Sequence, residues 1–175
     1  ISNYEQFKDN NGNEITQAIY DTNFNLSDPN TQQWLYDYNI QLKSNIKVRA
    51  DELTSVMLEF VDTYCATENI DFPILDPDSF DKHFWIFNTG LRLTKYVGFE
   101  TVDNKQYPQT RWLLIRAVTV DKSSGSANVL MDVYHDWEKW HEEQLITGPL
   151  GVQSGFQYSD EWSRIVVEKA FMDGT

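Results

Sequence analysis

The pattern that most constrains this chain is an apolar stripe in its first half. Ile46, Ala50, Leu53, Val56, Met57, Phe60, Val61 and Tyr64 recur at intervals of three and four. That spacing gathers side chains on one face of an α-helix. Lys47, Arg49, Asp51, Glu52, Glu59 and Asp62 fall on the opposite face. The stripe predicts a long amphipathic helix over 47–66, and such a helix needs a second layer to cover its apolar side.

Strand-like runs are the expected source of that layer. Tyr4–Lys8 and Glu14–Tyr20 flank Asp9-Asn10-Asn11-Gly12-Asn13, whose Asn and Gly tolerate the positive φ of a tight reversal, so an N-terminal hairpin is expected. Asp28-Pro29-Asn30-Thr31 marks the next break. Residues 33–43 fit two readings: Trp34, Tyr36, Tyr38, Ile40 and Leu42 alternate as in a strand, while Leu35, Tyr38, Leu42 and Ile46 fit a helical stripe. Asp71–Asp81 reads as a loop because Pro73 and Pro77 interrupt regular structure.

Phe84–Thr94 and Tyr96–Val102 read as strands, with Gly90 and Gly98 as bends or bulges. Arg111–Val120 and Ala127–Tyr134 read as a long hairpin with a polar tip. Asp136–Leu145 has helical propensity, and Thr147–Gly155 reads as a flexible connector. A last helix over 160–172, capped by Ser159, competes with a strand at Ile165–Phe171. The expected fold class is α+β in a single domain spanning 1–175. It would be one long amphipathic helix packed on a curved antiparallel sheet, with an N-terminal hairpin and a C-terminal helix. Cystatin-like and NTF2-like architectures share that element order; the match is one of layout, not of sequence.

Charge narrows the partners. The chain has 14 Lys and Arg against 27 Asp and Glu, a formal charge of −13. Residues 1–87 carry 5 basic and 15 acidic side chains, a balance of −10; residues 88–175 carry 9 and 12, a balance of −3. Such a field repels nucleic acid and anionic membrane surfaces and attracts a basic protein. No apolar run is long enough to span a bilayer, so no direct membrane insertion is expected, and there is no signal-peptide pattern. The start at Ile1 leads to the expectation of a processed or excised part of a longer protein. Cys65 is the sole cysteine and is expected to be a buried, inert thiol. Asn25-Leu26-Ser27 has the form of a glycosylation sequon.

Catalytic signatures are missing. The sequence has no Gly-x-Ser-x-Gly elbow, no phosphate-binding loop and no dinucleotide fingerprint. His83 lacks any partner that the sequence identifies for base catalysis. Asp71, Asp76, Asp78 and Asp81 sit among turn residues, where solvation is the simplest reading. His135, Glu138 and His141 have a helical spacing that suits one zinc, whereas a di-iron site needs the Glu-x-x-His pair twice. No cofactor is expected.

Aromatic content is the remaining signal, with 6 Trp, 9 Tyr and 10 Phe. Trp85, Trp112 and Trp162 lie in apolar runs and read as core. Trp34, Tyr36, Tyr38, Trp137 and Trp140 lie among polar residues and are the candidate contact residues. The expected function is a non-enzymatic protein-interaction or assembly domain, within a surface, secretion or viral complex, with self-association as one form of it. The alternatives are a carbohydrate-binding domain using these aromatics, a small metal-dependent enzyme using the His135–His141 segment, and an acidic decoy acting on charge alone.

Overall fold

The computed structural model describes residues 3–8, 14–19, 22–91, 95–118 and 127–156, with backbone only for the first two segments and for 127–130. The fold is mixed α+β, and helices dominate it. The order is β1 (Asn3–Lys8), β2 (Glu14–Ile19), α1 (Pro29–Ser44), α2 (Val56–Glu59), a π-helical turn (Phe60–Cys65), α3 (Ala66–Glu68), α4 (Pro77–Leu91), β3 (Val97–Glu100), β4 (Gln109–Leu113) and α5 (Ala127–Leu145). No helix among the described residues is long and apolar enough to cross a membrane.

The N-terminal hairpin is present, with β1 and β2 antiparallel in a register that pairs Asn3 with Ile19 and Lys8 with Glu14. The expected curved sheet is not found among the described residues. Among the described residues the strands form two separate two-stranded sheets, β1–β2 and β3–β4. The core is therefore built between helices.

The ambiguous segment 33–43 is helical. Asp28 caps α1 by accepting from the Thr31 N–H at 3.0 Å, and Pro29 opens the first turn with its φ already set. The buried face is Thr31, Gln32, Leu35, Asn39 and Leu42. Three of those five are polar, which is why the sequence pattern was weak. Gln32 has a structural task that explains its burial. Its amide donates to the Ser27 and Ile74 carbonyls at 3.2 and 3.1 Å, and its carbonyl accepts from the Ile74 N–H at 2.9 Å. The side chain thus ties the start of α1 to the loop before α4 and satisfies groups whose burial unpaired would be costly.

The predicted helix 47–66 is corrected at its start. Ser55 caps the helix at Val56, and residues 50–52 form only a short 3₁₀ turn. The backbone before the cap has other partners. The Arg49 N–H donates to the Val118 carbonyl at 2.8 Å, and Thr54 exchanges two hydrogen bonds with Arg116 at 2.8 and 3.0 Å. These long-range bonds use donors and acceptors that an extended helix would need. The helix then continues through the π-helical turn to Glu68 and stops at Asn69, which adopts a left-handed φ of 55°.

Two further strand expectations are corrected. Phe84–Thr94 was expected as a strand; the described part belongs to α4, which starts at Pro77, inside the expected Asp71–Asp81 loop. Asp76 accepts from the Ser79 N–H at 2.9 Å at that start. The buried residues Phe80, Phe84, Phe87 and Asn88 form a three-and-four stripe, cut in two when the segment is read from Phe84. Gly90 accordingly lies in a helix, not at a bend in a strand. Ala127–Tyr134 is also helical, being the first half of α5, so the hairpin expected with Arg111–Val120 does not form. Its strand ends at Leu113, and residues 119–126, its expected tip, lie outside the described residues. The expected helix at 160–172 also lies outside them.

β3 falls within the expected strand Tyr96–Val102, but its partner is β4, which overlaps the start of Arg111–Val120, a pairing that the sequence reading did not make. The register of this pair shifts between Gly98 and Phe99. A β-carbon on Gly98 would come within 1.8 Å of the Trp112 Nε1, so the indole lies directly over this glycine.

Among the described residues most of the buried apolar side chains pack into one cluster. Phe60 and Phe80 are fully buried, and Phe60 meets the rings of Phe84 and Phe87 at 5.0 and 5.4 Å. Leu26, Leu35, Val56, Met57, Cys65, Ile74 and Val97 close it. A smaller cluster joins Leu42 and Val48 to Trp137, with Tyr38, Val133 and Trp140 half-buried around it.

Candidate functional site

The smaller cluster gathers most of the candidate aromatics. Trp34 and Tyr38 lie four residues apart on α1, one turn of the same face, and their rings stack at 5.2 Å. Trp137 and Trp140 lie three apart on α5 and meet edge to face at 5.6 Å. The two helices join through Tyr38, whose ring is 5.7 Å from Trp140 and 6.2 Å from His141. Residues some hundred positions apart in the chain therefore form one aromatic row.

The row is a packing seam with an exposed edge. Trp137 is only 7% exposed, so it anchors α5 and offers no contact surface. Trp34, Tyr38 and Trp140 are half-buried. Tyr36 is elsewhere: it points away from this row and packs on Phe72 at 5.6 Å, with its hydroxyl 3.0 Å from the Asp62 carboxylate. The sequence grouped it with Trp34 and Tyr38 by alternation, and the helix separates them.

The histidine segment is also split. His141 turns inward, with its Nδ1 3.2 Å from the Tyr38 hydroxyl. Burial holds its imidazole below the ordinary histidine value, opposed by Glu138 and Glu142 and by a backbone hydrogen bond with Gly155. Burial also pushes the Tyr38 phenol up to about 12. His135 is exposed and lies against the Tyr134 ring at 5.3 Å. Glu138 hydrogen-bonds Tyr134. His135, Glu138 and His141 are not brought together, and no group of three or more His, Cys, Asp or Glu among the described residues is placed to hold a metal.

Other titratable groups have structural partners. Asp78 pairs with Lys105, and the buried Asp81 accepts from the Ser27 hydroxyl with Lys105 3.9 Å away. Burial raises the Asp81 carboxyl, while Ser27 and Lys105 oppose that rise. Ser27 itself is buried, and its N–H donates to the Asn25 side chain at 3.1 Å, which gives the sequon residues a local turn to hold. His83 sits 3.0 Å from the Tyr64 hydroxyl. Cys65 is buried and its thiol is pushed up to about 11, a value that keeps it protonated and unreactive at neutral pH.

The connector after α5 is the part that sequence reading missed. It was expected to be flexible, yet it packs. The Trp34 Nε1 donates to the Thr147 hydroxyl at 3.3 Å. A β-carbon on Gly151 would meet the Asn23 carbonyl oxygen at 2.1 Å, so the chain passes too close there for any larger residue. Val152 is buried beneath. This course leaves Ile146 77%, Leu150 68% and Phe156 64% exposed around the end of α5. Gly155 comes back to within contact of Leu145, which brings Phe156 to the same end of the helix. Lone apolar residues in a Gly- and Pro-containing loop were the available signal: a loop side chain without a helical or strand period has no face on which to hide.

The charge there is one-sided. Residues 127–156 hold Asp132, Asp136, Glu138, Glu142 and Glu143 against Lys139, a balance of −4. Residues 95–118 hold Lys95, Lys105, Arg111 and Arg116 against Glu100 and Asp103, a balance of +2. The near-neutral second half of the sequence is therefore an average of two opposite regions. Comparison with known protein families, curated proteins and solved structures finds no match for this chain.

Proposed function

We propose that this chain is a non-enzymatic protein-interaction domain, and that its contact surface is the end of the α1–α5 seam. One observation carries the reading: Ile146, Leu150 and Phe156 stand exposed on a connector that is itself held by Trp34, Gly151 and Val152. Large apolar side chains on a fixed backbone are what an interface needs, because little ordering entropy is lost on binding. Half-buried Trp34 adds an aromatic rim of the kind enriched at interfaces.

The arrangement of aromatics favours protein over sugar. A sugar site needs flat, open ring faces, and the Trp34 and Tyr38 faces are stacked on each other.

A photo-crosslinker placed by thiol chemistry at Leu150→Cys tests the reading, since buried Cys65 does not compete for the label. The expected result is one protein crosslinked from position 150 and not from a matched label at the exposed Glu68→Cys on α3, with the product lost in Ile146→Asp. Equal labelling from both positions, or none from either, overturns the assignment.

A further inference from the structure

We infer that the partner surface at the end of α5 takes a basic amphipathic segment of another protein. The inference rests on the interaction reading above and adds the chemistry of the partner. Its starting point is an electrostatic imbalance in α5. A helix C-terminus carries partial negative charge and is normally complemented by Lys or Arg in the last turn. The last turn of α5 has no basic residue and instead holds Glu142 and Glu143, both exposed.

Little nearby charge relieves this. Lys139 reaches Glu143 only at 4.0 Å, with both side chains mostly exposed. An ion pair of that kind contributes little. Among the described residues no cation forms an ion pair with Glu142. The basic residues of 95–118 are engaged in part elsewhere: Lys105 with Asp78, and Arg111 with Glu100. Among the described residues the end of α5 is therefore negative and weakly paired, with Ile146 following it in the chain and Gly155, next to Phe156, packed on Leu145.

An apolar strip bordered by carboxylates and a helix C-terminus discriminates by charge. A partner with leucine-like side chains gains burial on the strip. One that also places Lys or Arg at the border relieves the imbalance, while an acidic partner adds to it. A second copy of this chain presenting the same face would set Glu142 and Glu143 against their own counterparts, which disfavours a symmetric pair through this surface.

The probe is a synthetic helical peptide with Leu on one face and Lys and Arg on the other, titrated against the full chain by fluorescence anisotropy. Controls keep the Leu face and carry Glu or Gln on the other. The basic peptide is expected to bind, and the Glu peptide is not. Glu142→Gln with Glu143→Gln should weaken the basic peptide about fivefold at low salt, the scale of two exposed ion pairs, and the difference should shrink as salt rises. Ile146→Asp with Leu150→Asp should abolish binding.

The outcomes separate two failures. If the Gln peptide binds as tightly as the basic one, or if the double Gln variant binds the basic peptide unchanged, the charge chemistry is wrong while the apolar surface stands. If Ile146→Asp with Leu150→Asp leaves the basic peptide bound as before, the surface itself is wrong. A dimer seen by light scattering that the Asp variant dissociates gives the surface to a second copy and overturns the inference.

Discussion

The Phe60 cluster and the Trp137 cluster use similar side chains and reach different states. In the first, Phe60, Phe80 and Phe84 are wholly buried, and apolar residues from three helices and β3 close around them. In the second, only Leu42, Val48 and Trp137 are buried; Tyr38 and Trp140 remain half-exposed, and polar groups enter the seam. The indole N–H of Trp137 and the Nε2 of His141 are buried there without a good hydrogen-bond partner among the described residues, although a weaker backbone interaction with Gly155 helps His141. The difference is one of division of work. A dry core gains the full transfer and packing free energy of its rings. A seam with an open edge gives up part of that gain and keeps side chains available at the surface.

The comparison can be broken or sharpened by substitution. Phe60→Ala should give the largest loss, about 3–5 kcal/mol of unfolding free energy in urea titration, because the cavity would lie among rings that cannot close over it. Trp140→Ala should cost about 1–2 kcal/mol, since a half-buried ring has less area to lose. Equal losses for the two would show that the seam is as dry as the core, and the contrast would collapse.

Tyr38→Phe should cost about 1 kcal/mol by removing the contact with His141 while keeping the ring stack on Trp34. A change of several kcal/mol would mean that this contact, and not the rings, holds α1 to α5.

The same histidine sets a pH dependence. Burial lowers the His141 value in the folded chain, so the unfolded chain binds a proton more readily. The resulting stability is complete above the ordinary value of 6.5 and is lost as the pH falls from there toward the lower folded value. His83 shifts in the same direction, also chiefly through burial. Stability measured between pH 7.5 and 5, a range of about one unit or more around the usual histidine value, should therefore fall on acidification, and His141→Gln should flatten part of the slope. An unchanged slope in that variant would assign the effect to His83 or to the carboxylates.

The smallest effect on stability belongs to the exposed residues. Ile146→Asp and Leu150→Asp should each stay within about 0.5 kcal/mol of the parent, as expected for surface positions. That is the condition under which their loss of binding reports on the interface. A cooperative unfolding midpoint shifted well beyond this would place them in the structural class with Phe60.

How far these features were legible depends on the distance over which their causes act. The first hairpin, the break at Asp28-Pro29 and the helical character of Val56–Tyr64 and Asp136–Leu145 follow from local turn, cap and period rules, and the sequence was enough for each. The aromatic candidates were legible as residues but not as a site. Alternation grouped Tyr36 with Trp34 and Tyr38, and nothing local could say that Tyr38 and Trp140 would meet. The exposed Leu150 was hidden inside Thr147–Gly155, the segment read as a flexible connector, and Ile146 fell between it and the expected helix.

Sequence by itself determined the acidity, the lack of catalytic motifs and the helical stripe around Phe60, because these depend only on residue identity and spacing. Tertiary structure decided the rest. Arg49 and Thr54 gave their backbone hydrogen bonds to residues 116–118, which shortened the predicted helix. Aromatic and branched residues at Phe84–Leu91 and Ala127–Tyr134, suited to strands by propensity, became helical. Strand propensity is largely the value of packing against cross-strand neighbours. Where the neighbours are helices, the same side chains gain more on a helix face, and only the assembled chain fixes which neighbours are present.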